Sequence, residues 1–349
     1  MFPSLPPEGD RETWKTGAVP GRAGTFRDPT GAVPVRPPAG ASGRTGHAAA
    51  AHEPAVREDP DPAPGDEDEI EVPFVPVRRE LSLAVAGFAG LLAIGLILGA
   101  QTSGPDARAP YAVVIFGVQV LHVLAWTVAM RPPAFWTVAA IGVSAGLVGD
   151  VLAVNREGTS LWPLVVVIAA GVLLAVVVQL IRAADRARIR DTVASTFFIV
   201  AGAVAFASLI SLTRRPVGTQ SILVFFAATG VALVVARLID AFFARPRIAP
   251  QVPRGATGII VGAMLATLAA AGLGSVLVLP FTPAKGAVLG LVAGVFAGLV
   301  DLAVNYGEAG RVQIGRAPTL WVARHMQGPI GAAALAAPLT YAMAMLVLG

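Results

Sequence analysis

Leu81-Ser-Leu-Ala-Val-Ala-Gly-Phe-Ala-Gly-Leu-Leu-Ala-Ile-Gly-Leu-Ile-Leu-Gly-Ala100 is an apolar run that carries no charged residue. An α-helix rises about 1.5 Å per residue, so some twenty residues cross the roughly 30 Å hydrocarbon core of a bilayer. A backbone in that core must pair its own N–H and C=O groups, and a helix does so internally. The stretch therefore reads as a transmembrane helix. Similar runs follow, and the expected spans are 81–100, 110–130, 134–154, 161–181, 192–212, 219–243, 257–279, 284–305 and 327–348. Trp136, Trp162, Trp321 and Tyr111 stand at span ends, where the aromatic belts of membrane proteins lie.

Upstream of this stretch the composition changes. Residues 1–76 are rich in Pro, Gly, Ala and charge and have neither a helical nor a strand period. Such a segment buries too little apolar surface to offset its ordering entropy, so a disordered tail is expected. It ends in the acidic run Glu58-Asp-Pro-Asp-Pro-Ala-Pro-Gly-Asp-Glu-Asp-Glu-Ile-Glu71, which reads as a solvated linker or as a docking segment for a basic surface. The opening Met1-Phe-Pro-Ser-Leu-Pro-Pro has no basic segment followed by an apolar one, so no cleaved signal peptide is expected. The expected organisation is a cytoplasmic tail, 1–76, and a transmembrane helical domain, 77–349.

Charge supports that division. Only 14% of the 349 residues are charged, against about 25% in soluble proteins. Residues 1–80 hold 14 acidic and 9 basic side chains, whereas residues 81–349 hold 8 acidic and 17 basic ones. The positive excess thus belongs to loops between apolar runs. Nucleic-acid binders need a solvated basic face, often with stacking aromatics, and no nucleic-acid partner is expected. Cysteine is absent, which excludes disulfides and thiolate chemistry. Lysine occurs only at 15 and 285 beside 24 arginines, a bias typical of high-GC bacterial genomes.

With the tail inside, the cytoplasmic segments contain 13 basic residues: Arg78, Arg79, Arg131, the cluster from Arg182 to Arg190, Arg245, Arg247, Arg254, Arg311, Arg316 and Arg324. The opposite loops contain five: Arg108, Arg156, Arg214, Arg215 and Lys285. The positive-inside rule therefore predicts a cytoplasmic N-terminus and an external C-terminus in a bacterial plasma membrane. In the eighth span Gly286, Gly290, Gly294 and Gly298 recur every fourth residue, so one helix face admits a close neighbour. Asp301, three residues further, leans toward that packed face.

The segment Asp240-Ala-Phe-Phe-Ala-Arg-Pro-Arg-Ile-Ala-Pro-Gln-Val-Pro-Arg-Gly-Ala-Thr-Gly258 closes one span and opens the next. It resembles the stretch of phosphatidate cytidylyltransferases in which Asp-Thr-Gly-Ala-Tyr leads through Leu-Ala-Pro to Ser-Pro-Lys-Lys-Thr-x-Glu-Gly. Gly298-Leu-Val-Asp301-Leu-Ala-Val-Asn305 is similar to that family's Gly-Asp-Leu-x-x-Ser. Gln327-Gly-Pro-Ile-Gly331 and Ala337-Pro-Leu-Thr-Tyr341 stand where Pro-Gly-His-Gly-Gly and a later Ala-Pro would stand. The resemblance covers residues 81–349. It implies a cytidylyltransferase-like helical bundle and a role in phospholipid biosynthesis: CTP and phosphatidate give CDP-diacylglycerol and diphosphate, with Mg²⁺ as cofactor.

This chain departs from that pattern in its polar residues. The lysines of the Ser-Pro-Lys-Lys-Thr loop are missing from Val252-Pro-Arg-Gly-Ala-Thr257, and the histidine position is Ile330. The lysine and aspartate run that follows the eighth span would fall between Tyr306 and Arg316, which supplies Arg311 and Arg316 but no aspartate. About seven residues are also lacking between Asp240 and Pro250. No catalytic residue can be assigned, and an activity that is weakened or lost is expected. By resemblance Asp240 and Asp301 are the candidate metal carboxylates. Arg245, Arg247, Arg254, Arg311 and Arg316 are the candidate phosphate or headgroup ligands, though positive-inside loops would look the same.

Each candidate also has a plainer reading. Asp240 and Arg237, three apart on one helix, could form a mutual structural pair. Asp301 has no partner three or four residues away, and an unpaired carboxylate in lipid costs about 2.5–3.5 kcal/mol on insertion scales. Asp150 is expected to be hydrated near the outer end of the third span, and His122 to be a hydrogen-bonded packing residue. The arginines from 182 to 190, with Asp185 and Asp191, fit topology and anionic-lipid contact. His325 fits an interfacial position or stands in for the missing histidine. Three functions remain: a diverged cytidylyltransferase relative, a non-catalytic lipid-binding or scaffolding subunit, and a small-molecule transporter. The expected partners are membrane lipids (phosphatidate or another anionic phospholipid), CTP where activity persists, and a second copy of the chain in a homodimer.

Overall fold

The computed structural model describes residues 75–103, 107–132, 134–158, 160–181, 186–313 and 320–348; side chains of 186–192 and of Trp321 lie outside the description. The expected tail up to residue 74, Arg182, Asp185 and Arg316 fall outside these residues, as do the side chains of Arg186, Arg188, Arg190 and Asp191.

Among the described residues the fold is all α, with one isolated bridge, Arg247 to Gly255, as its only β pairing. The helices are α1 (Arg79–Gln101), α2 (Ala109–Met130), α3 (Phe135–Asn155), α4 (Trp162–Ile181) and α5 (Arg186–Ala205). After a break at Phe206 the chain continues as α6 (Ala207–Leu212), then α7 (Gly218–Phe242), α8 (Ala256–Val276), α9 (Pro283–Gln313) and α10 (Trp321–Met343). A π-helical turn, Ala344–Leu348, ends α10. Among the described residues nine helical segments are long and apolar enough to cross a membrane, with Val193–Leu212 of α5 and α6 forming one of them. The chain is a multi-pass helical membrane protein.

Side-chain size is distributed as a lipid solvent requires. Large apolar groups such as Leu91, Leu98, Val113, Leu173, Ile181, Met264 and Leu268 are exposed, and small residues fill much of the interior. Lipid tails are as apolar as leucine, so little is gained by hiding leucine; close backbone approach is gained by small residues inside. The α8–α9 contact is the clearest case. A Cβ at Gly290 would lie 2.7 Å from the Ala266 carbonyl oxygen, and one at Gly294 would lie 2.9 Å from Ala266 Cβ. On its other face α8 meets α7: a Cβ at Gly262 would lie 2.6 Å from the Ala232 carbonyl. The ladder read from the sequence is thus a seam between neighbours in this same chain.

Helices α1, α7, α8 and α9 pack as one group and α2 to α6 as another, with α10 against both. The ends of α7 and α9 meet the starts of α1, α8 and α10 at one end of the bundle. There α9 runs to Gln313, eight residues past the expected boundary, and α10 begins six residues early. Apolarity alone marked the membrane core, whereas these extensions are held by polar contacts. Glu308 is buried and pairs with Arg311 at 2.7 Å, and Arg311 donates to the Ala129 carbonyl of α2 at 2.9 Å.

Candidate functional site

The loop after α7 folds inward instead of trailing over the surface. Arg247 Nη1 donates to the Val75 carbonyl at 2.6 Å, and Val75 N–H donates to the Pro250 carbonyl at 3.1 Å. Thr257 Oγ1 donates to the Arg245 carbonyl at 3.1 Å, and Val252 is fully buried. This scaffold turns Arg254 into the bundle, where it is 0% exposed.

Arg254 lies between two carboxylates from different helices. Its Nη1 is 2.8 Å from Asp240 Oδ2 on α7, and its Nη2 is 3.0 Å from Asp301 Oδ2 on α9. These are ion pairs by distance, but the guanidinium N–H bonds are not aligned on the oxygens. Arg237 Nη2 donates to Asp301 Oδ1 at 2.6 Å, and Gly255 N–H donates to Asp240 Oδ1 at 2.9 Å. The four charged groups sum to zero. Burial, and then Arg237, pulls the Arg254 pKa below its ordinary value against Asp301 and Asp240; a guanidinium starts high enough to remain charged.

Glycines make room for this cluster. A Cβ at Gly258 would lie 2.8 Å from Asp240 Oδ1, and any side chain at Gly328 of α10 would run into Asp301 Oδ1. Gly328 also lines a cavity of about 760 Å³ between α1, α7, α9 and α10, together with Arg78, Ser82, Arg237, Asn305, Arg324 and His325. Arg237 belongs to both the cluster and the cavity. A largely apolar recess that carries Arg78, Arg237, Arg324 and the acidic Glu80 therefore borders a buried, neutralised ion cluster.

The structure brings together three of the residues singled out from sequence: Asp240, Asp301 and Arg254. Arg247 is tied to Val75, while Arg245 and Arg247 border a separate shallow groove with Phe242 and Phe243. Arg311 is engaged by Glu308 and α2. The expected Arg237–Asp240 pair is replaced: Arg237 pairs with Asp301, and Asp240 with Arg254. Asp301 gets its partners from 64 and 47 positions away in the chain, where a search at helical spacing could not find them. Arg237 was legible only as a neighbour of Asp240 on one helix face, and its link to the cavity was missed; Arg78 and Arg324 on the lining were legible only as charges at span ends. Asp150 is buried rather than hydrated, held by Gln119 at 2.8 Å, and His122 meets the Phe198 carbonyl at 3.1 Å as a packing residue would.

The two aspartates do not fit a divalent cation. Magnesium needs carboxylate oxygens at about 2.0–2.1 Å in octahedral geometry. Here each of the four oxygens already faces a guanidinium nitrogen or a backbone N–H. Among the described residues no three His, Asp or Glu side chains converge either.

Compared with protein-family models, curated proteins and solved structures, the chain matches none. The resemblance to cytidylyltransferases rests on the quoted residues alone.

Proposed function

We propose that this chain is a non-catalytic relative in a cytidylyltransferase-like frame, which binds an anionic phospholipid headgroup in the cavity above Arg237. The observation that carries this reading is the neutralisation of Asp240 and Asp301 by Arg237 and Arg254. Nucleotidyl transfer to phosphatidate depends on metal held by carboxylates, and here those carboxylates hold arginines. Beside the cluster lies a recess whose lining includes Arg78, Arg237, Arg324 and the acidic Glu80, with Arg324 Nε 3.7 Å from Glu308 Oε1. Arginine suits phosphate because its planar fork presents several donors at once.

The orientation belongs to this proposal. The basic excess at the cavity end supports a cytoplasmic position in a bacterial cell for that end and for the N-terminus. A reporter fused after Gly349 should then read as external and one placed before Phe74 as cytoplasmic. Two reporters on the same side would require an even number of spans and would remove this topology.

The functional test combines turnover with binding. Purified protein with Mg²⁺, CTP and phosphatidate should form no CDP-diacylglycerol above background. Phosphatidate should co-purify in preference to phosphatidylcholine, as read by native mass spectrometry. A hydrogen bond to a charged group contributes about 1.5–3 kcal/mol, so the Arg78→Ala, Arg324→Ala double variant should bind at least about tenfold more weakly. Robust turnover that vanishes in Asp301→Asn would overturn the proposal and make Asp301 catalytic.

A further inference from the structure

The α2–α6 half takes no part in the cavity, yet among the polar side chains it buries are Gln119, His122 and Asp150. Gln119 and His122 of α2 are 0% and 1% exposed, and Asp150 of α3 is 3% exposed. Gln119 Nε2 donates to Asp150 Oδ1 at 2.8 Å, which leaves Gln119 Oε1 and Asp150 Oδ2 without a hydrogen-bond partner. His122 Nε2 lies 3.1 Å from the Phe198 carbonyl of α5. A carbonyl only accepts, so Nε2 carries the hydrogen, and Nδ1 is left unpartnered.

The backbone is shaped around these groups. A Cβ at Gly146 of α3 would lie 2.7 Å from Gln119 Oε1, and any side chain at Gly202 of α5 would collide with the His122 ring. Glycine at both positions admits polar groups that a larger residue would expel.

Among the described residues the surroundings supply no counter-charge. Beside Asp150, Gly149 packs against Leu164 of α4, Val204 of α5 and Ala207 of α6, all apolar. Among the described residues the titratable groups on α2, which packs against α3, are His122 and the buried Tyr111. The charges at that end of the bundle are Arg214, which is bonded to the Ala153 and Val154 carbonyls, with Arg108 and Glu157 beside it. A carboxylate in hydrocarbon with one amide as company is costly, and intramembrane Asp and His residues recur in proton relays. A metal ion does not suit the pocket, because Ca²⁺ and Mg²⁺ take about six or more oxygens and only two are unpartnered. A proton needs one.

We propose that Asp150, Gln119 and His122 form an intramembrane proton-exchange site. Asp150 Oδ2 takes up and releases the proton, and Gln119 holds the carboxyl through its amide donor. His122 Nδ1, one turn along α2, is the second carrier: as the Asp150 O–H bond breaks an N–H bond forms, with charge conserved. The polar line continues along α2 to Trp126, whose Nε1 is unpartnered. Trp126 packs beside Gly331, one turn from the fully buried Gln327 of α10, neither of whose amide atoms has a partner. Gln327 in turn precedes Gly328, which touches Asp301, so the line leads toward the cavity end.

Infrared spectroscopy of the full-length protein in lipid nanodiscs tests this site directly. The expected result is a protonated carboxylic-acid C=O band at neutral pH that shifts in deuterium oxide and is lost reversibly in alkali while the helical signal persists. Asp150→Asn keeps an acceptor for Gln119 and should fold, but the band should be absent. In His122→Phe the band should remain, with its deuterium exchange slowed by about 10²-fold, as for a lost proton-transfer group. A wild type without the band, or a band that survives Asp150→Asn, would overturn the proposal. So would a band that alkali cannot remove before the helices unfold, because the proton would then be a fixed structural one. Exchange unchanged in His122→Phe would strike His122 from the site.

Discussion

Replacing Arg254 by methionine should destabilise the protein by about 3–5 kcal/mol, the usual consequence of stripping one partner from a buried ion pair. Asp240 would keep only the Gly255 N–H, and Asp301 only Arg237. Two carboxylates at 0–1% exposure would then share one guanidinium. The loss should be partly recovered in the Arg254→Met, Asp240→Asn double variant. The carboxamide still accepts from Gly255, and the remaining Arg237–Asp301 pair is neutral. Thermal unfolding of the detergent-solubilised protein, read by circular dichroism for the wild type and both variants, checks this. An unchanged midpoint in Arg254→Met would mean that the cluster does not hold the α7–α8 loop in place. A double variant less stable than Arg254→Met would mean that charge imbalance is not the cause.

Gly290→Leu should abolish folded protein, or nearly so. The first side-chain carbon alone would lie 2.5 Å from Ala270 Cβ, 2.7 Å from the Ala266 carbonyl and 2.9 Å from Thr267 Cα. Two of those three atoms are backbone, so no rotamer change relieves the overlap and α8 must separate from α9. Overpacking a well-fitted core ordinarily costs about 1–3 kcal/mol, and a clash with helix backbone lies at or beyond the top of that range. Gly272→Leu is the control: it lies on α8, and nothing is within 4 Å of its would-be Cβ. Monodisperse yield after solubilisation should collapse for position 290 and hold for position 272. Equal yields would show that the α8–α9 seam is looser than its geometry.

Within the transmembrane domain, legibility followed the range of the forces. Span positions depend on local apolarity over about twenty residues, and the expected and observed helices agree to a few residues for α1 to α4 and for α7. The helix ends that differ, Gln313 of α9 and Trp321 of α10, lie where polar contacts such as Arg311 to Ala129 carry the helix past its apolar stretch. The glycine ladder was legible as a packed face because a four-residue period is a property of one helix. Which helix would fill that face was not, and α8 proved to be the partner.

The candidate site divides in the same way. Sequence identified Asp240 and Asp301 as carboxylates near membrane depth, where each is costly unless paired, and Arg254 as a loop arginine able to bind phosphate. It paired Arg237 with Asp240 because those residues share a helix face, and it left Asp301 without a partner. Tertiary packing decides otherwise, because the crossing of α7 and α9 brings Asp301 to Arg237, and the inward loop drives Arg254 between both carboxylates. Sequence by itself determined that this chain crosses a membrane many times and which of its charges would need partners. Only the fold decided what those partners are, since ion pairs between elements some fifty residues apart leave no periodic trace in the chain.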